Sequence, residues 1–147
     1  MHEEIKRLWA QTRLHVWPEE YYLMSFPAEQ SPPALIAVVS SAPFFVILKE
    51  RGEVSFTLPE EIWQPFSKTV LPRAVAGPYH VITFDLNLDL SICGYFAPAA
   101  ARLAEAGISI VPQCAYLKDH VLIQAGQIER AVEVLQKLIE SAKGGGD

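Results

Sequence analysis

Residues 80–92, HVITFDLNLDLSI, alternate apolar and polar side chains with almost no break, and the alternation gives way at Gly94. His80, Ile82, Phe84, Leu86, Leu88, Leu90 and Ile92 share one face; Thr83, Asp85, Asn87, Asp89 and Ser91 share the other. A period of two over this length specifies a long strand with one buried face, or two strands in series with a kink near Asn87. After Gly94 the period changes. Phe96, Ala99, Ala100, Leu103 and Ala104 recur at the spacing of an amphipathic helix. Pro98 fits only its first turn, and Gly107 is placed as a left-handed cap at its end.

The rest of the chain reads around this strand and helix. Ile5, Leu8, Trp9 and Leu14 have roughly helical spacing before Pro18, which predicts a helical extension over residues 1–18. YYLMSF (21–26) reads as a strand, and PAEQSPP (27–33), with its three prolines, as a loop. FFVILKERGEVSFTLP (44–59) reads as a hairpin around ERGE, and PEEIWQPFSKTV as a short helix limited by Pro65. Beyond Gly107, ISIVPQCAY (108–116) and DHVLIQ (119–124) are two strands joined by Leu117 and Lys118. The clearest helix is QIERAVEVLQKLIESA, striped by Ile128, Ala131, Val132, Leu135, Leu138 and Ile139. The order from residue 81 is β-α-β-β-α. One strand is missing from a βαββαβ unit, to be supplied by part of the 80–92 run or by residues 21–57. The first half repeats the plan in element order without a direct sequence repeat. The expected division is an extension at 1–18, a degenerate unit at 19–79, a second unit at 80–142 and a disordered tail at 143–147.

Composition bounds the function. Half of the 147 residues are apolar and a fifth charged, enough for a real core in one domain or two small interlocked ones. A net charge of −5 argues against a phosphate-backbone binder, so no nucleic-acid partner is expected. The apolar runs fall short of the ~20 residues of a membrane span, and the chain starts without an apolar leader. The two cysteines, Cys93 and Cys114, lack CxxC spacing and read as free, buried thiols in a reducing cytoplasm. With His15 and His120 they make no metal-ligand spacing, and Ser91 has neither a nucleophile elbow nor a partner histidine. No metal, cofactor or catalytic residue is assigned. Exposed edge strands predict a homodimer.

Four segments carry a resemblance. GEVSFT (52–57), LDLSICG (88–94), LAEAGIS (103–109) and KDHVLI (118–123) follow in order and spacing the pattern D-E-x-S-x-V, L-D-F-S-x-T-G, L-A-x-A-G-I-S and T-D-Y-x-L-V. Over about residues 20–140 the chain thus resembles the ACT-domain proteins. Within them it resembles the small bacterial proteins with two interlocked ACT units, which are similar to the amino-acid-sensing ACT repeats of the arginine sensors called CASTOR. The resemblance implies a ferredoxin-like α+β sandwich with antiparallel sheets and no catalysis. It also implies a small ligand, usually an amino acid, at an interface between units. The chain departs from the pattern at Cys93, at Lys118-Asp119-His120, at Leu86-Asn87 and at Gly52.

This places the candidate site at the strand-to-helix turn. Gly94 lets the backbone approach a ligand, and the amides beginning the helix near Tyr95 and Phe96 suit a carboxylate. Asp119 is positioned to accept an ammonium, His120 to add a hydrogen bond, and Ser55 to close the site from the other unit. The alternative reading is a ligand-free dimerisation or protein-interaction module.

Overall fold

The alternating run enters a strand earlier than its pattern suggests and also leaves it earlier. The computed structural model describes residues 1–30 and 32–144. Its first half contains α1 (Glu3–Gln11), β1 (Arg13–Val16), β2 (Tyr21–Phe26), α2 (Pro33–Val38), β3 (Val46–Lys49), β4 (Val54–Pro59) and α3 (Glu60–Trp63). Then come β5 (Ala74–Asp85), α4 (Ala97–Glu105), β6 (Val111–Pro112), β7 (His120–Gln124) and α5 (Ile128–Lys143). The chain divides into two compact units: residues 18–79, and residues 1–17 together with those from 80 onward.

The unit of residues 18–79 runs β-α-β-β-α-β in chain order, ending on the first part of β5. Its strands lie in the order β3-β4-β2-β5, all antiparallel. The period of two in β2 turns Met24 and Phe26 onto Val54, Phe56 and Leu58 of β4, and Leu35, Val39 and Trp63 complete this core. Helix α2 follows directly on the proline-rich loop: Pro33 opens it and Leu35 is its buried anchor. Glu60 and Glu61 occupy the first turn of α3, where the helix dipole favours them.

The other unit has the strand order β1-β5-β7-β6. Its missing strand is β1, paired antiparallel with β5 from Arg13↔Asp85 to Val16↔Ile82. It comes neither from the 80–92 run nor from residues 21–57. A four-residue strand between a helix and a proline has too little alternation to be recognised, and only Leu14 turns toward the core. Nor is α1 peripheral: Trp9 is fully buried, stacked on Tyr95 at 4.8 Å and edge-on to Phe84 at 5.4 Å. The stripe of α5 packs as read, with Ala131, Leu135, Leu138 and Ile139 buried beside Leu103 and Ile123. Gly107, at φ +73°, ends α4: its N–H donates to Ala104 O (2.9 Å) and that of Ile108 to Leu103 O (2.9 Å).

Two strands are shorter than expected. Strand β5 stops at Asp85, and residues 86–93 are loop. There the Leu86 N–H bonds the Phe84 carbonyl (2.9 Å), the Leu88 N–H bonds the Leu117 carbonyl (2.8 Å), and Asp89 Oδ1 takes the Ser91 N–H (2.8 Å). Leu86, Leu88 and Ile92 still pack on the core. Their alternation therefore records which side chains turn inward, not a continuing ladder. Likewise residues 113–116 form the arm and turn of a hairpin after β6. The cysteines are exposed, not buried, because both sit in these loop segments. Helix α5 runs through Lys143, the first residue of the tail expected at 143–147; residues 145–147, like Ser31 in the expected loop, lie outside the described residues.

Candidate functional site

Loop 88–97 and the hairpin turn 115–119 line the two sides of a pocket of 260 Å³ within one unit. The hairpin is closed by Ala115 N–H to Lys118 O (3.0 Å) and tied to β5 by Phe84 N–H to Asp119 O (3.0 Å). On the loop side, Gly94 takes φ +87°, a conformation that costs a residue with a Cβ; an added Cβ would meet nothing within 4 Å. Glycine is thus required there by the turn itself, and the space beside it is open.

Tyr95 fixes this turn from behind. Its carbonyl accepts the Trp9 indole N–H (2.8 Å). Thr12 Oγ1 donates to Leu8 O (2.9 Å), so the Tyr95 hydroxyl donates to Thr12 Oγ1 (2.7 Å). Burial pushes the phenol up to about 12, helped by the Asp119 charge and opposed by the Thr12 bond. Tyr95 therefore lines the pocket while its ring belongs to the core. Phe96 precedes the first turn of α4, whose amides have no acceptor within the helix.

Across the pocket, Asp119 sits at the entry to β7 and Lys118 beside it. The Lys118 ammonium is held by Asp85 at 2.7 Å, which keeps the Asp85 carboxyl below the usual range. Asp89 is likewise lowered by the Ser91 hydroxyl and N–H. Among the pocket's charged groups, Lys118 and Asp89 thus have partners in the chain itself. Burial, and after it the Asp119 carboxylate, push the Cys114 thiol above its ordinary pKa.

Of the residues expected at a site, Gly94, Tyr95, Phe96 and Asp119 line this one pocket. His120 and Ser55 do not. The His120 ring turns to Thr83 Oγ1 (2.7 Å), which also receives the Trp17 indole N–H (2.8 Å). Burial pushes this imidazole below its ordinary pKa. Ser55 lines a separate depression of 200 Å³ in the unit of residues 18–79, with Ser25, Glu53 and Val75.

Sequence reasoning missed the hairpin side of the pocket, Ala115 to Lys118, and its rim. Leu90, Tyr116 and Leu117 are large, apolar and exposed. A tyrosine and a leucine in a four-residue turn were the available signal, since solvent alone does not call for them.

Residues 76–137 match the family profile of the ACT domain. The matched span contains every residue lining the pocket. No curated protein matches in sequence. Among solved structures, a protein of Agrobacterium tumefaciens is 17% identical over 87% of this chain and 89% of its own, with a TM-score of 0.71. A Vibrio cholerae protein of unknown function, described as a possible transport protein, is 19% identical over 92% and 95%, with a TM-score of 0.70. The regulatory subunit of aspartate kinase from Thermus flavus is 12% identical over 85% and 95%, with a TM-score of 0.60. At these identities the likeness is one of fold, the ferredoxin-like α+β arrangement of ACT domains. No helix among the described residues is long and apolar enough to cross a membrane.

Proposed function

We propose that this chain is a regulatory protein whose 260 Å³ pocket binds a free amino acid. The observation that carries the reading is the pairing, across one small cavity, of a helix start with the Asp119 carboxylate. Amides at the start of α4 suit an α-carboxylate and Asp119 an α-ammonium, so a zwitterion meets complementary charge at both ends. The ACT-domain match over the pocket and the fold shared with aspartate kinase regulatory subunits support it. So does the finer resemblance to the tandem, CASTOR-like amino-acid-sensing type. Two copies would associate through the outer strand β3, where Ile47 and Leu48 are 38% and 56% exposed.

A thermal-shift screen of the twenty amino acids tests this, because a ligand of the native state raises the melting temperature. At least one should raise it at millimolar concentration, and Asp119→Ala should remove the shift. If none does, the sensor reading fails. The apolar edge of β3 then favours the second reading, a ligand-free interaction module.

A further inference from the structure

We propose that Cys114 is a positioning residue of the pocket: its thiol donates a hydrogen bond that holds the Asp119 carboxylate in the pocket wall. This rests on the amino-acid reading above and assigns a role to a residue that does not itself line the cavity. The placement follows from register. Val111 pairs with Leu122 and Pro112 with Val121. The hairpin continues with Gln113 N–H to His120 O (2.8 Å) and Ala115 N–H to Lys118 O (3.0 Å). Residues 114 and 119 therefore face each other as a non-hydrogen-bonded pair, the position in an antiparallel ladder where opposed side chains come closest. The Asp119 main chain is fixed from the other side by Phe84. The thiol opposite is placed to fix its side chain as well.

The environment keeps Cys114 a donor. Burial and the Asp119 carboxylate push the thiol up to about 11, so at neutral pH it carries its proton. Cys114 as a residue is nevertheless exposed. Lys118 and His120 flank Asp119 on its own strand, Asp85 holds Lys118, and the Tyr95 phenol lies within reach of the Asp119 charge. An ammonium taken up by Asp119 offsets the negative charge beside the thiol, so occupancy of the pocket and reactivity of Cys114 are linked. The positioning role acts on affinity in its own right: without the thiol the Asp119 carboxylate is no longer held in place, ordering it on binding costs more, and binding weakens.

Two measurements test this in the full chain. In a Cys93→Ser background, iodoacetamide alkylation of Cys114 is followed by mass spectrometry from pH 7 to about 10. Asp119→Asn should speed alkylation at pH 8 by about threefold to tenfold, since one pKa unit is tenfold in thiolate. An unchanged pH profile would show that the contact is absent and overturn the proposal. Secondly, each of the twenty amino acids is used as probe in thermal shift. Cys114→Ala should weaken the response to any that binds by about threefold or more, and Cys114→Ser, which keeps a donor, should restore it with the ligand-free melting point unchanged. Equal responses in wild type and Cys114→Ala would overturn the positioning role while leaving the amino-acid reading intact. Absence of any response in wild type overturns both, and the alkylation profile then still reports whether the contact exists.

Discussion

Gly94 and His120 show how far single residues can be read from sequence. Glycine at 94 was legible because a strand pattern ends there and a helix pattern begins. Its positive φ predicts that Gly94→Ala costs roughly 1–2 kcal/mol in urea unfolding, all of it backbone strain because no atom lies near an added Cβ. The same substitution should weaken the amino-acid response. His120 was legible as polar, but its partner was not, because Thr83, itself bonded by the Trp17 indole, comes beside it only in the folded chain. Its pKa is lowered by burial, so folding favours the neutral ring. The resulting stability is complete above the unfolded value near 6.5 and is lost as pH falls below it. Urea unfolding of wild type should therefore weaken from pH 7 to about 5.5, and His120→Gln should flatten that dependence. The lowered carboxyls of Asp85 and Asp89 act in a separate window, losing their contribution only below the ordinary carboxylate range.

At the level of elements, long periodic segments were readable and short ones were not. Helix α5 and the body of α4 appear where their stripes place them, since a 3.6-residue period sustained over several turns has few alternative explanations. The run at 80–92 misled in its second half, because side chains can alternate toward a core while the backbone turns on Asp89 and Ser91. Strand β1 was invisible because its partner lies about seventy residues away in β5. That pairing makes residues 1–17 part of the ACT-matched unit. Residues 80–147 alone should accordingly fail to give a cooperative thermal transition by circular dichroism, and adding a peptide of residues 1–17 should restore one. Within α1, Trp9→Ala should cost about 3–5 kcal/mol, the usual loss for a fully buried tryptophan.

For the whole molecule, chain order and assembly matter most. In chain order, residues 18–79 fall between the two segments, 1–17 and 80 onward, that make up the other unit. This nesting underlies the sequence impression of one strand too few. The outer strand β3 leaves Ile47 and Leu48 toward solvent, and the proposed homodimer covers them. Sedimentation should show a dimer, and Leu48→Lys should shift it to monomer without changing the melting point by more than a few degrees. Of the candidate site, the glycine turn and Asp119 were legible because they carry motif positions. The hairpin rim was not, because only the folded chain brings residues 115–118 opposite residues 88–90. The central claim is that an amino acid sits between these two segments. A 1H–15N titration of the full chain with the amino acid that gives the largest thermal shift tests it most directly. The account predicts saturable shifts of the amides of Gly94, Tyr95, Phe96, Ala97 and Asp119, absent in Asp119→Ala. Shifts confined to the Ser55 depression, or none at these five amides, would contradict it.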